Sequence, residues 1–201
     1  MMKPLKLTSV MMALAVVGLA ACAQPETPED RYYRLQTPLT KATAAPVLAG
    51  TLQVDRFQVD GLVGRSQIVY VANGKGHELQ TYHYHHWTEP PAILLQDQLI
   101  AYLRAAGVAD HVVSPEMRVD VDYVLTGKVK RLEQVTGTDP KAVAEVEVGI
   151  RRVRDGKLML LRSERAEAPA ASAAVGDGVA AMNAAISDVF ARIVDGLKTA
   201  K

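Results

Sequence analysis

Apolar residues recur along this chain with two periods, and the switch between them maps the fold. Residues 79–87, LQTYHYHHW, alternate as a strand does, with Leu79, Thr81, His83, His85 and Trp87 on one side and Gln80, Tyr82, Tyr84 and His86 on the other. Thr88, Glu89, Pro90 and Pro91 follow: a hydroxyl able to cap free amides, then prolines, which need no donor in a first helical turn. Ala92, Leu95, Leu99, Tyr102 and Ala106 then fall at three- and four-residue steps and form one helical stripe. Gly107 can take the left-handed conformation that ends the helix. This passage from strand into helix is the stretch around which the remaining segments are arranged.

Upstream, residues 31–36 form a first strand with Tyr33 and Leu35 on one face, and 37–46 is a polar, alanine-rich loop. In 51–60, TLQVDRFQVD, Leu52 and Val54 point inward, then the pattern slips by one before Phe57 and Val59, which predicts a bulge near Asp55 and Arg56. Residues 67–73 are a strand, and NGKG at 73–76 is a hairpin turn that returns the 79–87 strand antiparallel. Downstream, 108–113 is a short strand and 123–132 a strand with one wet face. Residues 142–153 alternate most regularly, with Ala144, Val146, Val148 and Ile150 inward, and Asp155 with Gly156 turns the chain into 158–164. An alanine, proline and glycine linker at 167–178 leads to a last helix. There Val179, Met182, Ile186, Val189, Ile193 and Leu197 share one stripe, and Lys198 and Lys201 sit near the negative end. The predicted architecture is α/β: a single two-layer domain, with a mostly antiparallel or mixed sheet and two helices packed on one face.

The first residues change the picture from a plain domain to an exported one. Lys3 and Lys6 precede an uncharged, mostly apolar run at 7–18, and Leu19, Ala20 and Ala21 precede Cys22. The run falls short of the about 20 apolar residues a membrane span needs. It resembles the bacterial lipoprotein signal with its lipobox. That resemblance implies that the Cys22 thiol receives a diacylglyceryl group, that the signal is cut before it, and that the new amino terminus is acylated. Each buried methylene contributes roughly 0.8 kcal/mol, so several acyl chains hold where one would exchange. The expected division is 1–21 signal, 22–30 lipidated tether rich in proline and acid, and 31–201 folded domain. Residue 23 is Ala, and by the same resemblance an aspartate there would favour retention at the inner membrane, so the outer membrane, periplasmic face, is expected. Cys22 is the only cysteine, which excludes a disulfide framework and thiolate chemistry in the lipidated protein. The chain carries 23 basic and 22 acidic residues, a balance that gives no ground for a nucleic-acid partner.

Candidate chemistry is sparse. His83 and His85 share a strand face, with His77 across the hairpin, but no third ligand lies at a convincing spacing, so no metal is expected. No glycine-flanked serine elbow, paired catalytic carboxylate or phosphate-binding loop is present, and no catalytic residue is assigned. Lys128, Lys130 and Arg131 read as a solvated strand face. Tyr82 and Tyr84 are either cross-strand packing or part of a partner surface, and Trp87 reads as a packing hinge beside one. These three, Tyr82, Tyr84 and Trp87, are the candidate partner-binding residues.

The lipobox, YYRL at 32–35, GRSQIVY at 64–70, YHHWTEPPAILL at 84–95 and DYVLTGKVK at 122–130 together resemble the ABC-type transport auxiliary lipoproteins, the family of the lipoprotein component of paraquat-inducible (Pqi) systems. The cluster of tyrosine, tryptophan and proline before the helix carries most of the likeness. The resemblance implies a non-catalytic lipoprotein that docks or caps an MCE-type transport system moving lipids or other hydrophobic compounds across the envelope. Its implied partners are an MCE-domain protein, its ABC permease and its ATPase, and it implies no cofactor beyond the covalent lipid on Cys22. Homo-oligomerisation stays open. The alternative is a structural or regulatory envelope lipoprotein, for example an activator of peptidoglycan synthesis.

Overall fold

The computed structural model describes residues 28–38, 46–72 and 75–199. The signal, Cys22 and most of the tether lie outside the described residues. In chain order the elements are β1 (Arg31–Tyr33), β2 (Leu48–Val54), β3 (Gln58–Val59), β4 (Gln67–Ala72), β5 (Leu79–Trp87), α1 (Pro91–Ala105), β6 (Ala109–Val113), β7 (Tyr123–Thr136), β8 (Lys141–Arg152), β9 (Leu158–Pro169) and α2 (Val175–Thr199).

Strand β7 is the hub of one mixed sheet. β8 pairs along one of its edges, antiparallel over nearly its whole length, and β9 pairs with β8. Three successive strands share the opposite edge, all parallel to β7. β2 lies against Tyr123–Leu125, β3 against Lys128 and Val129, and β4 against Gln134–Thr136. Beyond them β6 flanks β2 in parallel, β5 flanks β4 antiparallel, and β1 adds to β5 in parallel. The sheet is thus mixed, and half of it is joined by parallel pairings that hairpin signals cannot announce.

The predicted slip near Asp55 is present. Val54 lies opposite Leu125 and Gln58 opposite Lys128, so three residues of one strand face two of the other. The extra residue lets Phe57 turn inward, where its ring lies over Gly127. A Cβ at that glycine would stand 2.2 Å from a ring carbon.

Both helices pack into one hydrophobic core. Along α2, Val179, Met182, Ile186, Val189, Ile193 and Leu197 are all buried, over a sheet layer that includes Ala142, Ala144, Val146, Val148 and Ile150 of β8. On α1, Leu95, Leu99 and Leu103 are fully buried, and Tyr102 meets Phe190 of α2 edge-on at 5.6 Å between ring centroids. Gly107 closes α1 with φ at +62°, as expected.

The first strand ends at Tyr33 and not at 36, and β7 runs on to Thr136 past 132; two further differences concern the helix starts. Thr88 does not cap α1. Pro90 holds the cap position with no side-chain cap bond, and the Thr88 amide donates to the Tyr33 carbonyl instead at 2.9 Å. Pro90 and Pro91 bring no N–H to this end, so one fewer donor needs a cap. The linker is also shorter than 167–178. β9 continues to Pro169, with Ala166 opposite Ala144 and Ala168 opposite Ala142, and α2 begins at Val175. Small side chains let the helix come close to the sheet there, and the same composition imitates a linker. Gly178, inside α2, abuts the Gln134 side chain, which a Cβ would meet at 2.4 Å.

Candidate functional site: an aromatic and imidazole edge

The strand 79–87 forms, but it does not alternate throughout. Gln67 lies opposite His86 and Val69 opposite Thr81, so Tyr82, His83, Tyr84 and His85 bulge against Ile68 alone. The bulge divides the strand's side chains in a way that period-two counting misses. Tyr82 stacks on Tyr70 at 4.3 Å between centroids and meets His85 edge-on at 5.5 Å. Its hydroxyl donates to Oε1 of Gln134 at 3.1 Å. Gln134 is fully buried, and its amide nitrogen donates to the carbonyls of Ala173 and Ala174 at 3.1 and 3.3 Å. Tyr82 is therefore fixed to the chain leading into α2.

The described chain enters the sheet beside this bulge, through β1. Parallel pairing sets Arg31, Tyr32 and Tyr33 opposite His85, His86 and Trp87. The Tyr33 hydroxyl lies 2.9 Å from Nδ1 of His85, with the two rings stacked. The Tyr32 ring lies tilted against His86 at 5.6 Å between centroids, and His86 Nε2 stands 3.4 Å from Oδ1 of Asp30. After β1 the chain straps both helices. The Gln36 amide donates to Asn183 Oδ1 on α2 at 3.0 Å, and the Thr37 amide to Gln98 Oε1 on α1 at 2.9 Å.

The three predicted partner residues occupy three environments. Trp87 is 3% exposed and packs in the core, and its amide donates to the Ser66 carbonyl at 2.6 Å. Tyr82 is half-buried, with its hydroxyl committed. Tyr84 is 41% exposed at the bulge. Tyr32, which the sequence reading passed over, is 65% exposed and joins the same edge. The only sequence signal for it is that Tyr32 alternates with inward Tyr33. His83 is exposed, and among the described residues no three His, Cys, Asp or Glu side chains converge as metal ligands.

Burial, then the charges of Arg31 and His86, hold His85 below the ordinary histidine range. A neutral ring can accept the Tyr33 hydroxyl proton at Nδ1. Burial, then Tyr70, pushes the Tyr82 phenol up. Because the folded-state value of His85 is depressed, its contribution to stability is complete above the usual histidine range and is lost as pH falls toward the folded value. The neighbouring ionisable groups are Asp30, Arg31, Tyr33, Tyr82 and His86. Between about pH 8 and about pH 5.5 the melting temperature should fall more steeply for the unaltered chain than for His85→Phe. Parallel curves would refute the assignment.

The basic strand face is neutralised locally. Lys128 pairs with Asp60 and Lys130 with Glu147, both at 2.7 Å, and Arg131 pairs with Glu133. The Lys128 and Lys130 bridges lie on a solvated face, where exposed pairs contribute little to stability, whereas Glu133 is buried and Arg131 partly so.

The bulge thus presents an exposed aromatic edge beside β1, where the described chain enters the sheet. The profile of the ABC-type transport auxiliary lipoprotein component matches residues 33–194, and the chain belongs to that family. The fold is similar to that of protein XCC0632 from Xanthomonas campestris, at 22% identity and a TM-score of 0.71, over 82% of this chain and 92% of that one. A second crystal structure, of an uncharacterized protein, is 17% identical with a TM-score of 0.63, over 84% of this chain and 98% of that one. No curated protein matches the sequence.

Proposed function

We propose that this chain is a non-catalytic outer-membrane lipoprotein, held on the periplasmic face by lipid on Cys22, that docks or caps an MCE-type ABC transport system carrying lipids or other hydrophobic compounds across the envelope. Membership of the transport auxiliary lipoprotein family is the observation that carries this reading. The place where the tether joins supports it. Eight residues separate Cys22 from Arg31, a reach of roughly 30 Å when extended, so the domain and its aromatic edge stay near the anchoring bilayer. In this reading Tyr84 and Tyr32 touch the partner, while Tyr82 and Trp87 hold the strand that presents them.

Gentle detergent extraction of the tagged lipoprotein from native membranes, with mass spectrometry of what is retained, tests the proposal. Recovery of an MCE-domain protein with its permease and ATPase is expected. A peptidoglycan synthase in their place would assign the chain to cell-wall regulation. Cys22→Ala should move the protein from the membrane to the soluble fraction without changing its melting curve, and a variant still firmly membrane-bound would exclude the lipid anchor.

A further inference from the structure

We infer that the pole of the domain opposite the tether is a second docking surface, fitted to a protein segment that combines acidic and apolar side chains. The sheet register defines the two poles. β7 has 14 residues, so it spans roughly 45 Å. Its end at Gln134–Thr136 carries β4, which holds β5 and then β1, where the tether joins. Its start at Tyr123 lies opposite Arg152, which puts the β8–β9 turn and the β6–β7 connection at the far pole.

Exposed apolar surface concentrates at that far pole. Of the eight large apolar side chains exposed among the described residues, five are there: Met117, Val119, Val153, Leu158 and Leu161. Leu158 is 56% and Leu161 63% exposed, and both flank Gly149 on the sheet face turned away from the helices. A Cβ at Gly149 would lie 3.9 and 3.8 Å from their methyl carbons. The patch is rigid, since Val153 donates its amide to the Asp122 carbonyl at 2.8 Å and both leucines stand on β9.

Charge at the turn specifies the partner. Arg152 is matched by Asp155 at 2.7 Å and Arg154 acts on the same carboxylate from beyond ion-pair distance, whereas Arg151 and Lys157 form no ion pair with any described residue. The turn carries four cations, Arg151, Arg152, Arg154 and Lys157, against the single carboxylate of Asp155, and this excess positive charge interleaved with apolar side chains complements carboxylates carried beside apolar groups. A protein fits this surface better than a bilayer does. The leucines lie on a flat strand instead of a protruding loop, and the tether leaves from the other pole, so a domain standing on its anchor turns the patch away from the membrane.

This inference rests on the docking reading and names a contact surface for it. A photo-crosslinking residue placed at Leu158, and separately at Leu161, in the full-length lipoprotein in its native membrane should yield one protein conjugate, mapped to an acidic, apolar segment of a transport partner. Combining Arg151→Glu, Arg154→Glu and Lys157→Glu should reduce that conjugate at least ten-fold with an unchanged melting curve, because all three side chains are exposed. A lipid adduct, a conjugate with a second copy of the chain, a conjugate insensitive to the charge reversal, or none at all would overturn the inference. If the charge-reversed chain still retains the transport proteins on extraction at the unaltered yield, the far pole is not their contact and the docking reading survives. If the unaltered chain retains none of them, the docking reading fails first.

Discussion

Trp87→Ala should lower the stability of the domain by about 3–5 kcal/mol, the range for truncating a large buried aromatic side chain. Trp87 is 3% exposed and ends β5 where β1 pairs beside it and the chain turns into α1. The backbone around it resists collapse into the space the ring would leave, because the Ser66 carbonyl holds its amide and the Tyr33 carbonyl holds that of Thr88. For a domain of this size each kcal/mol shifts the midpoint by about 2–4 °C, so a fall of roughly 6–20 °C is expected by circular dichroism. A near-neutral midpoint would show that the indole does not join strand to helix. The same variant should weaken any binding by Tyr84, since the strand end that positions the bulge would loosen.

Gly127→Val should be comparably damaging, at about 3 kcal/mol or more, because the added atoms fall on the Phe57 ring in a closed core. The nearest ring carbons lie 2.2, 2.5 and 2.9 Å from where the Cβ would stand. Phe57 is buried, so its ring must leave the core or β3 must part from β7. A double-mutant cycle separates this clash from the general cost of a side chain in mid-strand. Gly127→Ala with Phe57→Ala should cost clearly less than the sum of the two single changes. Simple additivity would place the damage elsewhere.

The parts of the fold legible in the sequence are those that local periodicity determines. The stripes of both helices, the slip at Asp55, the turn at Asp155 and Gly156 and the left-handed Gly107 all follow from neighbours within a few residues. What eluded sequence reasoning depends on partners far along the chain. The regular alternation of LQTYHYHHW conceals a bulge because β5 has nine residues to fit against the six of β4, and the slack gathers at Tyr82–His85. Tyr32 joins the candidate edge only through a parallel pairing with a strand more than fifty residues away. The alanine at 168 reads as linker because a close helix-to-sheet approach and a flexible connection favour the same small residues.

The sharing of one β7 edge by β2, β3 and β4 also sets an order of assembly. Each of these strands finds its partner about 70 residues downstream, so none can close its ladder until β7 has been delivered. A chain made from its amino terminus therefore holds this half only as the separate pairings of β2 with β6 and of β4 with β5 and β1, with the β2, β3 and β4 edges that face β7 left open. High contact order of this kind slows folding and lengthens exposure to aggregation. Carboxy-terminal truncations before residue 123 should accordingly leave the amino-terminal half unfolded, and the wait for β7 is the interval in which the exported chain most needs a chaperone.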